Sequence, residues 1–166
     1  LNSAAFAAMH AGLFDRAAPI IARRNELQMA IAEDVGTDDA RRIMKANCQF
    51  FDGLLSAFQG DSEAAAKHAN ANEMLLQEDE DPRKLEAAHW VLGKAALQSG
   101  NFALAVEQLR QANHANNMFV RYHLAQAEQG NGNSEEADKL FGEVASFNFN
   151  SVGFALVRNE AAARSQ

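Results

Sequence analysis

Cysteine is almost missing from the chain, since Cys48 is the only one among its 166 residues. A single thiol cannot form an intramolecular disulfide and cannot supply a cysteine-based zinc site. Cys48 is flanked by Ala46, Phe50 and Phe51, a setting that favours a buried, inert thiol over a reactive one. Such a thiol is compatible with the cytoplasm and with the periplasm, so it leaves the compartment undecided.

Proline, β-branched alternation and long apolar runs are also scarce. The chain has 2 prolines and 10 glycines, and no stretch alternates β-branched with polar residues, which argues against strands. No apolar run reaches the roughly 18 residues that a membrane-spanning helix needs, so membrane insertion is not expected. Hydrophobic residues make up 48% of the chain and alanine is abundant. Together these features predict a single all-α domain over residues 1–166.

The balance of charge limits the partners that the chain can bind. Its formal net charge is −7 at pH 7. Nucleic-acid backbones and anionic membrane surfaces are bound by clustered lysine and arginine, and the chain has no such cluster. Neither class of partner is therefore expected.

Motifs that carry chemistry are missing as well. The sequence contains no HExxH pattern, no glycine-rich phosphate loop and no GxSxG turn. The acidic run at 78–81 lacks the spacing and the central glycine of a calcium loop, and is expected to be a solvated inter-helix loop. No histidine pair has metal-ligand spacing among the five histidines His10, His68, His89, His114 and His123. The sequence therefore predicts no enzyme activity, no bound metal and no cofactor.

The segment 90–109 carries the most informative pattern. A first helix has small and apolar residues on one face, a glycine–asparagine pair breaks it, and a second helix repeats the arrangement. The residues concerned are Leu92, Gly93 and Ala96, then Gly100 and Asn101, then Phe102, Ala105 and Leu109. The small residues Gly93 and Ala105 lie where two antiparallel helices have to approach closely.

Gly100 has counterparts elsewhere in the chain. Gly132 lies 32 residues further on, Gly60 lies 40 residues before Gly100, and Gly12 lies 48 residues before Gly60. The residues at matching offsets are Leu124, Ala125, Ala137 and Phe141, then Gly53 and Ala65, then Ala5, Ala17 and Ile21. Asp52 departs from the pattern, because a large apolar residue is expected there.

This order and spacing resembles the tetratricopeptide repeat (TPR), in which stacked helical pairs bury the apolar faces that single pairs leave exposed. The resemblance implies an α-solenoid of four helix–turn–helix repeats, roughly at residues 1–31, 38–76, 83–115 and 117–147. A turn is expected at 33–39, with Thr37 or Asp38 as the N-cap of the next helix.

A capping helix over residues 151–163 is expected to cover the last repeat. Its inward residues would be Val152, Ala155 and Leu156. The amino end has no comparable cover, which leaves room for another repeat before Leu1.

In TPR folds the first helices of successive pairs line a concave groove. By that resemblance, the groove would bind an amphipathic helix or an extended apolar peptide, with aromatic anchors beside amide side chains. The predicted groove residues are Asn47, Phe50, Leu54 and Phe58 from the second repeat, Trp90, Lys94 and Gln98 from the third, and Tyr122 and Gln126 from the fourth. Phe51, Leu97, Phe119, His123 and Gln129 have related offsets.

A second interpretation of these residues is that they form core. Phe50, Phe51 and Leu54 can equally pack against the segment 31–40 or against the preceding helix, since aromatic stripes at helical spacing are often buried. The carboxylate-binding positions known in some TPR domains are occupied here by residues that cannot serve, apart from Asn2. Lys94 is the only cation expected on the groove.

The resemblance favours a non-enzymatic protein–protein interaction module, a scaffold or adaptor that binds a protein or peptide partner. The alternative is a structural role, in which the chain associates with a second copy of itself or docks on another part of the same polypeptide.

Overall fold

The computed structural model describes residues 1–148 and 151–165, and its regular structure is helical throughout. The helices are α1 (Asn2–His10), α2 (Phe14–Val35), α3 (Asp38–Gln59), α4 (Ser62–Leu75), α5 (Glu86–Gln98), α6 (Phe102–Gln111), α7 (Met118–Gly130), α8 (Ser134–Ser146) and α9 (Val152–Arg164). No strand occurs in the described residues. The predicted all-α class is confirmed.

The turns lie where the glycine spacing predicts them. Gly12, Gly60, Gly100 and Gly132 have φ angles of 69°, 83°, 76° and 84°, in the left-handed region that favours glycine. Each separates two helices of a predicted pair. Polar residues cap the amino ends of three helices. The side chains of Thr37, Asp61 and Asn101 accept hydrogen bonds from backbone N–H groups in the first turns of α3, α4 and α6.

Three helix ends differ from the expected ones. The helix α2 continues to Val35, past the start of the expected turn, and ends at Gly36, where φ is 74°. The helix α5 begins at Glu86 rather than at 83, because the residues after Asp81 form turns. The helix α6 ends at Gln111, before the expected end of the third repeat at 115, because Ala112 is extended with ψ at 169°.

The helices form an inner and an outer set. The odd-numbered helices α1, α3, α5, α7 and α9 each contact the next one, and α9 also contacts α1, so this inner set closes on itself. The outer helices α2, α4, α6 and α8 each pack against the two odd-numbered helices that flank them in sequence. The closure brings the first and last helices together.

Small residues allow the two sets to approach closely. An added Cβ at Gly93 in α5 would lie 2.6 Å from Cγ of Leu109 in α6, and 3.1 Å from its backbone nitrogen. Leu109 itself is fully buried. The sequence pattern at 90–109 therefore corresponds to a close contact between α5 and α6.

The inward face of α9 differs from the expected one. Val152 and Ala155 are exposed and Leu156 is half-buried. The buried residues are Phe154, Val157 and Ala161. The face is set by α7, α8 and α1, all of which contact α9, and not by the last helical pair alone. The ring of Phe154 packs against Phe147, with centroids 5.7 Å apart.

We predict that Gly93→Ala destabilises the fold by about 2 kcal/mol, because the new methyl group must displace Leu109 and the adjacent backbone. Gly142→Ala in α8 is the matched control, since a Cβ there meets no atom within 4 Å. It should stabilise the fold by about 0.5–1 kcal/mol through its better helix propensity. Urea unfolding of both variants and the parent measures the change in the free energy of unfolding. Equal changes for the two variants would contradict the close contact between α5 and α6.

Candidate functional site

The predicted groove residues lie on the inner helices α3, α5 and α7, and most of them are buried. Trp90 is 7% exposed and Tyr122 is 1% exposed. Leu54, Phe58 and Lys94 are buried too. The residues with more solvent access are Asn47, Phe50 and Gln126, which are half-buried, and Gln98, which is exposed. Their role in binding a partner stays a prediction.

The helix α1 covers one half of this inner face. Phe6 of α1 stacks on Trp90 with ring centroids 5.6 Å apart, and contacts Phe51 at 5.4 Å and Phe119 at 5.9 Å. Phe50 packs against Trp90 at 5.3 Å. We call Phe6, Phe50, Phe51, Trp90 and Phe119 the inner aromatic cluster. Here an apolar helix bearing a phenylalanine already occupies the predicted groove.

A cation that was not expected lies beside this cluster. The guanidinium of Arg24, in α2, lies 3.8 Å from the ring centroid of Phe51 and donates a hydrogen bond to Oδ1 of Asn2 at 2.9 Å. Burial lowers its pKa from the usual value. Arg24 therefore joins α2 to both α1 and α3, and Lys94 is not the only cation near the predicted groove.

The other half of the inner face lines a cavity of about 300 Å³. Five predicted groove residues contribute to it, namely Phe58, Lys94, Gln98, Tyr122 and Gln126. The remaining lining comes from Met9, His10, Gly12, Phe14, His123 and Glu160. We call this space the Lys94 cavity. It joins side chains from six helices, α1, α2, α3, α5, α7 and α9, together with a turn glycine.

Lys94 is the main electrostatic feature of the cavity. Its side chain is 7% exposed, and Nζ donates a hydrogen bond to Oε1 of Gln98 at 3.0 Å and lies 4.4 Å from the ring centroid of Phe58. Among the described residues Lys94 has no carboxylate partner within ion-pair distance. Burial lowers the pKa of Lys94 from 10.5 to about 8. The ammonium group is thus charged at neutral pH, largely shielded from water and not neutralised by the protein.

His123 adds a second incompletely bonded group. Its ring is buried, and Nδ1 has no hydrogen-bond partner. Burial, with smaller effects from the charges of Lys94 and His10, places the pKa of His123 well below its usual value. The imidazole is therefore neutral at pH 7.

Glu160 of α9 links two other residues of the cavity wall, Tyr122 and His10. Its carboxylate accepts a hydrogen bond from the hydroxyl of Tyr122 at 2.5 Å and lies 3.0 Å from Nε2 of His10. Burial raises the pKa of Glu160, but the hydrogen bonds from Tyr122 and His10 outweigh this and leave the pKa below its usual value. Burial, followed by the contact with Glu160, raises the pKa of Tyr122. Glu160 is therefore charged and already paired, and holds α1, α7 and α9 together.

Sequence reasoning missed His10 and Glu160, because only the closure between α1 and α9 places them at the cavity. It also missed a row of asparagines at residues 113, 116 and 117, which line a second cavity of about 320 Å³ beside Phe6 and Trp90. Nε1 of Trp90 is buried without a hydrogen-bond partner. The run of asparagines was a visible signal, but nothing local related it to Trp90.

Comparison of the chain with known protein families, curated proteins and solved structures gave no match. Among the described residues, no helix is both long enough and apolar enough to cross a membrane. In that same part of the chain no three histidine, cysteine or acidic side chains come together as a metal site.

We predict that Lys94→Met stabilises the fold at pH 7, by on the order of 2 kcal/mol, because it removes a buried charge. The folded state releases the Lys94 proton near pH 8 and the unfolded state near 10.5. The unfolded state therefore binds more protons in this range, and the parent regains stability as the pH rises from 8 towards 10.5. The advantage of the variant should shrink accordingly.

Urea unfolding of parent and variant at pH 7, 8, 9 and 10 tests this. Cys48 and Tyr122, whose raised pKa values act in the opposite direction, are present in both proteins and cancel in the difference. Lys139→Met, at an exposed lysine, is the control and should show no such trend. A stability difference that does not change with pH would contradict the buried-charge assignment.

Proposed function

We propose that the chain is a TPR-like α-solenoid of four helical pairs with α9 as its covering helix, and that it acts as a non-enzymatic interaction module. The four turn glycines with positive φ support the repeat assignment, as do the contacts of each outer helix with two inner neighbours. The close approach of α5 and α6 at Gly93 is what a TPR-like pair requires.

The partner that fits this proposal is an apolar helix that carries an aromatic residue. The observation that supports it most directly is Phe6, which lies among Phe51, Trp90 and Phe119. Stacked and edge-on ring pairs of this kind contribute about 0.5–1.5 kcal/mol each beyond the area they bury. The inner face is thus chemically suited to a helix with a phenylalanine, and α1 shows the geometry.

Binding of such a partner requires α1 to move aside. The helix α1 is short, and it is attached to α2 through the turn at Gly12. Among the described residues, its side chains are bonded to other helices through His10, to Glu160 of α9, and through Asn2, to Arg24 of α2. In this proposal α1 occupies the groove until a partner helix of similar chemistry replaces it, and Asn47, Phe50, Gln98 and Gln126 at the margins are the first residues that the partner reaches.

We predict that Phe6→Ala loosens α1 and opens the groove. Trp90 is the only tryptophan, so its fluorescence reports the site directly. Acrylamide should quench Trp90 more strongly in the variant, and the fold should lose about 2 kcal/mol of stability, since Phe6 is half-buried. A synthetic peptide with the sequence of residues 1–13 should bind the variant roughly tenfold more tightly than it binds the parent.

The matched controls are Leu13→Ala, at an exposed residue next to α1, and the same peptide with alanine in place of Phe6. Circular dichroism establishes that the variants stay helical. If the folded Phe6→Ala variant binds neither peptide, or if Trp90 stays as protected as in the parent, the groove proposal fails.

A specific surface feature favours self-association as the second candidate function. Leu27, Ile31 and Val35 are 40%, 48% and 56% exposed and recur every four residues along the second half of α2. Residues at this spacing share one helix face, so they form an apolar stripe on the outside of the molecule. A second copy with the same stripe would cover it.

We predict for this candidate that Ile31→Glu converts a dimer of the parent to a monomer, because a charge on the stripe cannot be buried in a symmetric interface. Sedimentation equilibrium at micromolar concentration measures the state. Leu104→Glu, at a similarly exposed leucine of α6, is the control and should leave the parent's state unchanged. A parent that is monomeric at these concentrations excludes this candidate and leaves the groove proposal standing.

A further inference from the structure

The Lys94 cavity contains a charge without a counter-ion. A lysine is rarely as deeply buried as Lys94 unless an acidic partner accompanies it, because desolvation of an ammonium group costs several kcal/mol. Nζ uses one of its three donor positions, towards Gln98. The acidic group of the same cavity, Glu160, is occupied by Tyr122 and His10. Nζ also faces the ring of Phe58, so the buried cation keeps hydrogen-bonding capacity for a ligand but has no anionic partner.

The other residues that line the cavity restrict the kind of ligand that Lys94 can bind. Beside Lys94 lie the neutral ring of His123 and the amides of Gln98 and Gln126, which are polar but uncharged. A single free positive charge suits a monoanion, whereas a dianion such as hydrogen phosphate would need further cations and would be repelled by Glu160. A single carboxylate is therefore the anionic group that best fits the cavity.

Apolar side chains form the remaining wall. Met9 and Phe14 enter from α1 and α2, and Phe58 enters from α3. The volume of about 300 Å³ lies at the lower end of the range for small-molecule pockets. The space thus offers a short apolar compartment next to a cationic end.

We propose that the Lys94 cavity binds a small organic monocarboxylate with a short apolar tail. The carboxylate accepts hydrogen bonds from Nζ of Lys94, and the tail lies against Met9, Phe14 and Phe58. The cavity lies beside the half of the inner face that α1 covers through Phe6, and Met9 and His10 of α1 belong to its lining. Binding of the carboxylate to the chain with α1 in place goes beyond the interaction function and does not require a partner helix.

Isothermal titration of the full chain with hexanoate at pH 7 tests the proposal. Hexanamide has the same tail without the charge, and inorganic phosphate has charge without a tail. We expect hexanoate to bind one-to-one and hexanamide to bind at least about tenfold more weakly, in line with the strength of hydrogen bonds to a charged group. Phosphate should not compete with hexanoate.

Two variants locate the site. Lys94→Met should weaken hexanoate binding by about tenfold or more, while keeping the apolar volume of the side chain. Lys139→Met, at an exposed lysine, should bind hexanoate as the parent does. Circular dichroism confirms that both are folded, and the hexanamide comparison tests the carboxylate on the unaltered chain.

Three results would overturn the proposal. The first is a parent that does not bind hexanoate, and the second is a Lys94→Met variant that binds it equally well. The third is phosphate that competes fully, which would show that charge alone is recognised. None of these measurements involves Phe6 or the peptide of residues 1–13, so the monocarboxylate site and the helix-binding groove can fail independently.

Discussion

The inner helices carry large aromatic side chains that have nowhere to be buried except against one another. Phe6, Trp90 and Phe119 come from three different helices and meet with ring centroids 5.6 to 6.1 Å apart. On the opposite side of the inner helices, Gly53 and Gly93 face the outer helices at close range. Large residues therefore meet on the inner face, and small residues lie where the outer helices pack closely.

Two of the buried charged side chains, Glu128 and Arg24, have several hydrogen-bond partners. Glu128 is fully buried, and it accepts hydrogen bonds from Arg110 and, at 2.6 Å, from Nδ2 of Asn133, which joins α7 to α6 and to the turn before α8. Arg24 donates hydrogen bonds to the side-chain oxygens of Asn2 and Asn25 and to the backbone oxygen of Asn47. Because a buried charge with partners is tolerable and one without them is costly, Lys94 differs in kind from these residues. Its ammonium group donates one hydrogen bond, to Oε1 of Gln98, and has no carboxylate partner among the described residues.

Local structure could be predicted from the sequence, because the signals that determine it act over a few residues. A glycine at a turn and a polar N-cap specify where a helix stops and starts, and they placed the turns at four glycines and the N-cap of α3 at Thr37. The face of α9 could not be found in this way. Its inward residues depend on α1 and α7, and no pattern within residues 151–163 contains that information.

The residues of the candidate site could likewise be predicted only in part. The residues of α3, α5 and α7 follow from the repeat spacing, and Phe58, Lys94, Gln98, Tyr122 and Gln126 do share one cavity. The spacing gave no indication that α1 would cover Trp90. His10 and Glu160 are separated by 150 positions in the chain, and only the closed arrangement brings them to 3.0 Å.

The contact between α1 and α9 also affects how the chain unfolds. In an open row of helical pairs each unit is held only by its neighbours, so the end units fray first and unfolding spreads inward. Here the terminal helices hold each other, and Glu160 is bonded to both α1 and α7. Unless a partner helix takes its place, α1 cannot detach without exposing Phe51, Trp90 and Phe119 of other helices. The contact between α1 and α9 thereby ties the first and last helices to the rest of the fold, and the helices should melt together in one cooperative transition.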